Sequence, residues 1–196
     1  MSLALITGSC GLVGSESAEF FAKKGFGIVG VDNNLRKFFF GKDGDVSWIK
    51  NKLKKNLSKY YHYDSDIRNY RALEKIFKKY KKNISVIIHC AAQPSHDYGK
   101  NYPILDFDVN ARGTLNMLEL TKIYCPNAVF INMSTNKVYG DNPNKLGIIE
   151  KSSRWELRIG DKNYKGIKEN FSLDNCTHSF FGVSKVYSDL IAQEYG

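Results

Sequence analysis

The stretch LALITGSCGLVG, Leu3–Gly14, decides the fold of this chain. Its first residues form an apolar run typical of a buried parallel strand. Gly8 permits a tight turn, Gly11 leaves room for a pyrophosphate close to the backbone, and Gly14 lets a following helix pack against the strand. The free N–H groups of that helix would face the phosphates. The pattern predicts a dinucleotide-binding turn that includes Leu12 and Val13.

The residues that follow favour this interpretation over a chance glycine turn in an α/β protein. A helical pattern ends at Gly25, and a second strand, Gly27–Val31, leads to Asp32 and Asn33. A carboxylate about twenty residues after the glycine motif can accept hydrogen bonds from both ribose hydroxyls. It would also repel a 2′-phosphate. Asp32 therefore predicts NAD as the cofactor in preference to NADP.

Length and composition indicate one globular domain. The chain has 196 residues, with 42% hydrophobic and 25% charged residues. That length can bury one sizeable core. No stretch has the length and apolar character of a membrane span, and Met1 leads directly into the first strand. Four cysteines without metal-ligand spacing predict reduced thiols and no metal site. We expect a cytoplasmic protein with no membrane partner.

The net charge of +9 raises the alternative of a nucleic-acid partner. Much of the excess lies in residues 50–55 and 78–82, which have the pattern of solvated helix faces and helix ends. We therefore expect no nucleic acid as the natural partner. A basic surface can equally attract a nucleotide diphosphate.

Alternating strands and helices predict the architecture. Beyond the first βαβ unit, strands are expected at 60–63, 84–89 and 128–133, and helices near 48–57, 73–80, 104–124 and 180–195. A polar insertion carries Phe38–Phe40, and residues 141–179 lack periodicity, as a long active-site loop would. This order predicts an α/β fold over residues 1–196, a Rossmann-like doubly wound parallel sheet with helices on both faces.

Polar or glycine motifs follow the strands, at Gly8, Asp32, Asp66, Ala91 and Thr135. The carboxyl ends of parallel strands share one edge of the sheet, and ligands bind beyond that edge. Scattered surface polarity would not produce this arrangement. The sequence therefore predicts that these residues form one site.

Taken together, these motifs resemble the extended short-chain dehydrogenase/reductases, the NAD-dependent sugar epimerase/dehydratase family. The resemblance runs from Leu3 to Gly196. Its supporting pieces are the glycine motif, Asp32, Asp66-Ile67-Arg68, His89-Cys90-Ala91-Ala92, Asn110 with Gly113-Thr114, and Ser134–Gly140. Within the family, residues 91–97, 134–141 and 178–185 are similar to the CDP-paratose/CDP-tyvelose 2-epimerase branch.

The resemblance implies cofactor contacts beyond the glycine motif. Asp66 would bind the adenine amino group, and Ile67 would donate its backbone N–H. Ala91, Ala92 and Gln93 would line the nicotinamide side. The resemblance also implies that the junction between strand and helix is steadied by Asn110.

The resemblance also implies the chemistry. Thr135 would hydrogen-bond the reacting sugar oxygen, and Lys185 would bind the nicotinamide ribose and lower the pKa of a tyrosine base. The implied substrate is a nucleotide sugar, a CDP-sugar in the branch named above. The implied reaction is epimerisation by transient oxidation, in which NAD is regenerated within each cycle.

Each of these roles has a structural alternative. Asp66 could simply cap the following helix. Asn110 fits a structural role even within the family, and His89 fits a satisfied core histidine. Lys185 could be an ordinary surface lysine.

The sequence departs from the family pattern at Phe181. The family base is a tyrosine four residues before the lysine, one helical turn away. Phenylalanine has no ionisable proton. Tyr164 and Lys168 have the same spacing but lack a helical context, so we interpret that match as coincidental. Other candidate bases, none favoured by spacing, are His96, His178 and Tyr187.

Extended family members continue past the lysine helix into a C-terminal substrate domain, which we expect to be missing here. A chain without that domain should expose apolar surface and form homo-oligomers. Two further functions stay open. The first is a catalytically silent NAD-binding protein with a regulatory or assembly role, and the second is a dehydrogenase or reductase that releases NADH.

Overall fold

A computed structural model describes all residues, Met1–Gly196, and its centre is a parallel five-stranded sheet. The strands are β1 (Leu3–Thr7), β2 (Gly27–Val31), β3 (Tyr60–Tyr63), β4 (Ile84–His89) and β5 (Val129–Asn132). Their order is β3-β2-β1-β4-β5, with β1 in the middle. This is the order of a doubly wound nucleotide-binding half. The predicted fold class is confirmed.

The register places the carboxyl ends of the inner strands side by side. Thr7 pairs with Val31 of β2 on one side and with His89 of β4 on the other. Every residue of β1 and β2 is buried. A strand that is covered on both faces reads as a continuous apolar run, which is why these two strands were predictable.

Helices cover both faces of the sheet. The helices are α1 (Leu12–Lys23), α2 (Leu35–Phe40), α3 (Ser47–Asn56), α4 (Tyr70–Tyr80), α5 (His96–Asn101), α6 (Pro103–Phe107), α7 (Gly113–Tyr124) and α8 (Phe180–Glu194). Ala18 of α1 and Leu53 of α3 belong to the core on one face. Phe77 of α4 and Met117 of α7 belong to the larger core on the other.

Three segments differ from the sequence prediction. The helix expected over 104–124 is interrupted by a π-helical turn, Asp108–Arg112, that separates α6 from α7. The polar insertion after β2 forms α2 and a short 3₁₀ turn, Gly41–Gly44. The long loop contains an antiparallel hairpin of β6 (Ile148–Glu150) and β7 (Trp155–Leu157). Short elements of this kind lack the periodicity by which a sequence shows them.

None of the helices combines the length and the apolar character that crossing a membrane requires.

Candidate functional site

A cleft with a volume of about 240 Å³ opens at the carboxyl edge of the sheet. Eleven of the residues predicted to bind the cofactor line it: Gly8, Gly11, Leu12, Val13, Gly14, Asp32, Asn33, Asp66, Ile67, Ala91 and Ala92. The residues that follow β1, β2, β3 and β4 therefore meet as the topology predicts, whereas Thr135, which follows β5, does not line this cleft.

The glycine turn at the floor of the cleft has no space for side chains. Gly8 has a φ of +62°, and a Cβ there would lie 2.8 Å from the backbone nitrogen of Ala91. A Cβ on Gly14 would lie 2.1 Å from the carbonyl oxygen of Gly8. Both positions require glycine, because the turn, the helix start and the loop after β4 touch one another.

The N-terminus of α1 faces this turn without a capping side chain or an acidic residue in its first turn. Ser15 donates the first intrahelical hydrogen bond, to the carbonyl oxygen of Gly11. The N–H groups of residues 12–14 are thus left for a ligand or water. A helix start with free N–H groups and the positive end of its dipole suits an anionic group.

The carboxylate of Asp32 stands on the β2 side of the cleft, where two backbone groups hold it. The N–H of Cys10 donates to its Oδ2 at 2.9 Å, and the N–H of Asn34 donates to its Oδ1 at 2.8 Å. Each oxygen keeps a lone pair for a further donor. The first of these bonds ties Asp32 to the glycine turn, so its orientation is fixed before any ligand arrives.

Asp66, at the end of β3, is bound by two neighbouring side chains. Arg68 donates Nε to Oδ1 at 2.9 Å and Nη2 to Oδ2 at 2.6 Å, and Asn33 donates Nδ2 to Oδ2 at 2.9 Å. Burial alone would raise the pKa of the Asp66 carboxyl, but the hydrogen bonds and charge of Arg68, with the hydrogen bond from Asn33, together hold the pKa below its usual range. The ionised carboxylate can still accept from a ligand. Helix α4 is capped by Asn69, so Asp66 is not its N-cap.

His89 is a satisfied core histidine, as one of the sequence interpretations held. Its Nδ1 lies 2.7 Å from the hydroxyl of Thr7, and its Nε2 lies 3.1 Å from Thr114 Oγ1. Because Thr114 donates its own proton to the Asn110 carbonyl at 2.6 Å, Nε2 of His89 must be the donor. Burial lowers the pKa of His89 to about 3, with a smaller effect from Lys185. The ring is neutral and has no lone pair left for catalysis.

Gln93 and Asn110 belong to a buried polar network that also contains Asp106 and Ser184. The Asp106 carboxylate accepts from Gln93 Nε2 at 2.6 Å and from Ser184 Oγ at 2.5 Å, and Asn110 Nδ2 donates to Ser184 Oγ at 3.0 Å. Burial raises the pKa of Asp106. The side chains of Gln93 and Asn110 do not line the cleft. They join the loop after β4 to α6 and α8.

Lys185 is buried, so the surface-lysine alternative is wrong. The residue is 7% exposed, and its Nζ donates to the carbonyl oxygen of Met133 at 2.7 Å. Burial lowers the pKa of the ammonium group, although the nearby Asp189 carboxylate opposes this shift. Lys185 thus approaches the end of β5 from α8. It does not line the cleft that holds the glycine turn.

Thr135 caps the 3₁₀ turn Asn136–Tyr139, because its Oγ1 accepts from the N–H of Lys137 at 3.3 Å. The preceding hydroxyl, Ser134 Oγ, donates to Asp189 Oδ2 at 2.7 Å. Helix α8 packs directly on this turn, since a Cβ on Gly182 would lie 2.9 Å from the Lys137 carbonyl oxygen. The segment after β5 and the lysine helix therefore form one unit.

Comparisons with known proteins agree with this geometry. Residues 5–154 match the family model described as GDP-mannose 4,6 dehydratase. The chain belongs to this family. The resemblance to the NAD-dependent epimerases and dehydratases is thereby confirmed.

Relatives within the epimerase/dehydratase family are about twice as long. The chain is 32% identical to the CDP-paratose 2-epimerase of Salmonella typhi over 97% of its own length and 52% of that relative's. It is 35% identical to the UDP-glucuronate 4-epimerase of Thermodesulfobacterium geofontis over 73% of its length and 42% of that relative's. The chain thus spans about half the length of these relatives.

Solved structures of epimerases have the same fold. The UDP-Glc/GlcNAc 4-epimerase of Campylobacter jejuni superposes with a TM-score of 0.71 at 20% identity, covering 100% of this chain and 49% of that one. The UDP-glucose 4-epimerase of Bifidobacterium longum, in complex with NAD⁺ and UDP, also has a TM-score of 0.71, at 22% identity, covering 98% and 48%.

Phe181, which the resemblance aligns with the family tyrosine, is buried, at 8% exposure. It lies against α5, because a Cβ on Gly99 would come within 3.2 Å of the Phe181 Cβ. The alternative pair does not replace it. Tyr164 and Lys168 lie in a turn region without a helix, so their spacing does not place them on one helix face.

The other candidate bases are engaged or remote. His178 Nε2 lies 2.8 Å from the carbonyl oxygen of Val138, so that nitrogen is the donor. Tyr187 packs against Phe107 at a ring-centroid distance of 6.0 Å. His96 is exposed in the first turn of α5. None of them lines the cleft.

Further residues, which the sequence did not identify, also line the cleft: Val31, Leu35, Arg36, Val46, Ser65, Cys90, Pro94 and Val109. Two of them are polar in character. Arg36 lies with its guanidinium 4.7 Å from the ring centroid of Phe40. Ser65 has a buried Oγ with no hydrogen-bond partner. Ser65 directly precedes Asp66, and this adjacency was the signal that could have identified it.

Proposed function

We propose that the protein binds NAD in this cleft and takes part in the epimerisation of a nucleotide sugar. The observation that carries the proposal is the glycine turn beneath the uncapped start of α1, with Asp32 fixed beside it by the Cys10 N–H. Membership of the epimerase/dehydratase family supports the reaction class. When bound, NAD would supply a hydride acceptor and donor.

The residues present fit this cofactor. A Cβ at Gly8 or Gly14 would collide with the backbone of Ala91 or Gly8, so glycine at both positions lets the turn, the start of α1 and the loop after β4 pack together beneath the cleft. The N–H groups of residues 12–14 would hold the pyrophosphate. The Asp32 oxygens would accept from the ribose hydroxyls, and the unpartnered hydroxyl of Ser65 lies beside Asp66 at the proposed adenine end. Asp32 also supports a preference for NAD over NADP.

At the nicotinamide end, Ala91 and Ala92 line the cleft, and Gln93 supports their loop from below through Asp106. Asn110 bonds to the N–H of Gln93 at 2.9 Å and so steadies the same junction. In the proposed reaction, Thr135 hydrogen-bonds the sugar oxygen, and Lys185 binds the nicotinamide ribose.

We propose a CDP-sugar as the substrate class. The support is the similarity of residues 91–97, 134–141 and 178–185 to the CDP-sugar 2-epimerase branch, together with the alignment to the CDP-paratose 2-epimerase along 97% of this chain. Self-association is also a proposal. It is supported by exposed apolar side chains on the neighbouring helices α6 and α8, namely Ile104, Phe107, Val183 and Leu190.

Calorimetric titration with NAD, with NADP and then with CDP tests the cofactor proposal. We expect saturable NAD binding, no NADP binding and weaker NAD binding in Asp32→Ala. The matched control is Asp174→Ala, which removes an exposed carboxylate that makes no hydrogen bond. A folded wild-type sample that does not bind NAD would contradict the proposal. If NAD binds but no CDP-sugar is epimerised in an NMR assay, only the catalytic part fails, which leaves a silent NAD-binding protein.

A further inference from the structure

The insertion after β2 is a loop whose two ends are tied together. The side chain of Asn34 accepts from the N–H of Val46 at 3.1 Å and donates to Asp45 Oδ1 at 3.0 Å and Ser47 Oγ at 3.3 Å. A loop with joined ends and its own packed side chains moves as a unit. We call residues 34–47 the aromatic loop, because Phe38–Phe40 lie at its far end.

The aromatic loop contacts α5. The ring of Phe39, which is 3% exposed, meets the ring of Tyr98 edge to face, with 5.2 Å between centroids and 65° between planes. Phe40 approaches the same tyrosine at 6.0 Å. Tyr98 is stacked on Tyr102 at 5.8 Å, and its helix start is fixed by the Ser95 side chain, which accepts from the Tyr98 N–H at 3.3 Å. The contact therefore joins two ordered segments.

The topology places this contact above the glycine turn. The aromatic loop follows β2, α5 follows β4, and β1 lies between those two strands. A link between them must therefore pass over the end of β1, where the turn begins. Leu35, Arg36 and Val46 of the aromatic loop line one wall of the cleft, and Ala92 and Pro94, just before α5, line the other. The Phe39–Tyr98 contact joins the two segments that carry these walls.

We propose that the contact of Phe39 and Phe40 with Tyr98 is a strap across the cofactor cleft that sets the rate of dinucleotide exchange. The inference rests on the proposed function, since it takes a dinucleotide as the ligand. An extended dinucleotide over the glycine turn passes beneath the strap, so the ring contacts must separate for it to enter or leave. An epimerase that regenerates its cofactor in each cycle gains from slow exchange, because a lost cofactor interrupts turnover.

The strap can open while the hydrogen bonds that join the two ends of the aromatic loop stay intact. The Asn34 bonds to residues 45–47 close the loop independently of α5, and Arg36 stacks on Phe40 within the loop. Tyr98 makes no hydrogen bond through its hydroxyl, so its contribution to the strap is that of an aromatic ring. The ring alone should therefore determine the effect of substitution.

Stopped-flow measurement of NAD association and dissociation tests the strap. Tyr98→Ala should raise the dissociation rate on the order of tenfold, the upper end of the effect expected for a lost aromatic pair. The association rate should rise as well, so the dissociation constant should change less than either rate. Tyr98→Phe should keep the wild-type rates. Trp155→Ala, which removes an exposed aromatic ring on β7 outside the aromatic loop, is the control.

The outcomes separate the two proposals. If the wild type binds NAD and Tyr98→Ala exchanges it at the wild-type rate, the strap is wrong and the cofactor site stands. If the folded wild type does not bind NAD, the proposed function fails. The strap also predicts a property of the nucleotide-free protein: trypsin should cleave after Arg36, Lys37 and Lys42 faster in Tyr98→Ala than in Tyr98→Phe. Cleavage after Lys162 serves as an internal reference. Equal cleavage rates of the aromatic loop in the two variants would contradict a role of the Tyr98 ring in holding the loop.

Discussion

The ammonium group of Lys185 lies 2.7 Å from the carbonyl oxygen of Met133, and this is the only hydrogen bond that the chain offers it. An ammonium group has three donors, so two are left for a ligand. Burial of a charged group with incomplete pairing destabilises the folded state and lowers the pKa of a lysine. The direction of the Lys185 shift agrees with this. The protein keeps a costly charge at the residue to which the proposed function assigns the nicotinamide ribose.

Replacement of Lys185 by methionine should stabilise the free protein relative to the wild type at neutral pH. The folded-state pKa of Lys185 lies below the unfolded value of 10.5, so the unfolded chain binds more protons between the two. The free energy of unfolding of the wild type therefore rises with pH in that window. The total rise is about 1.4 kcal/mol for each pKa unit by which folding lowers the pKa of Lys185. Urea unfolding should show an advantage of Lys185→Met at pH 7 that shrinks towards pH 10. Exposed Lys137→Met should show no such pH dependence, and a constant difference for Lys185→Met would refute the assignment.

Restoration of the family tyrosine should increase turnover. General-base catalysis contributes roughly 10²- to 10⁴-fold, so Phe181→Tyr should raise the epimerisation rate of a CDP-sugar by on the order of 100-fold or more. Phe180→Tyr is the matched control, because that neighbour is 57% exposed on the other side of the helix start. Equal rates for Phe181→Tyr and the wild type, measured by NMR of the sugar, would mean that another residue is the base.

His89 should make the protein acid-sensitive. The pKa of His89 is about 3 in the folded state and 6.5 in the unfolded state. Above pH 6.5 the ring is neutral in both states and does not reduce the free energy of unfolding. Below pH 6.5 the unfolded chain binds the proton first, so the free energy of unfolding falls. The loss is about 1.4 kcal/mol per pH unit between the two values. His89→Gln should be less stable at pH 7 but should have a flatter profile down to pH 5 in urea unfolding. His96→Gln should keep the wild-type slope, and an identical slope for His89→Gln would show that the ring is not the sensitive group.

Alanine at Gly14 should be more harmful than alanine at Gly25. The new Cβ would overlap the Gly8 carbonyl oxygen at 2.1 Å, whereas Gly25, at a φ of +88°, has nothing within 4 Å. Gly25→Ala thus measures backbone strain alone, about 1 kcal/mol. Gly14→Ala adds the steric overlap, at least about 1–3 kcal/mol more, and should abolish NAD binding. Thermal unfolding compares the two, and similar losses would contradict the packing of α1 on the turn.

Predictions from the sequence were most accurate for segments in which one physical signal dominates. The strands at 27–31, 60–63 and 84–89 have the predicted bounds, because dense apolar or aromatic runs between polar ends admit few alternatives. The cleft followed from topology, since residues at strand ends must share one edge. This is why Asp32, Asp66 and Ala91 could be grouped without any knowledge of the structure between them.

The parts that could not be predicted depend on partners far away in the chain. Gln93 resembles a cofactor contact in sequence, but its side chain donates in the interior to Asp106, which also accepts from Ser184. Phe38–Phe40 lie in a polar insertion without periodicity, and only their contact with Tyr98 gives them an arrangement. The burial of Lys185 likewise depends on the end of β5, more than fifty residues away.

The central position of β1 has a consequence for the order of folding. Leu3 pairs with Ile84, and Gly8 packs against Ala91, so neither contact exists until β4 has been synthesised. Contacts of this sequence separation form late, because the entropy of closing the intervening chain opposes them. On the ribosome, the N-terminal strand must wait unpaired on that side while β2 and β3 emerge. The glycine motif is translated first, but it becomes a binding surface only after β4 and the loop that follows it have packed against it.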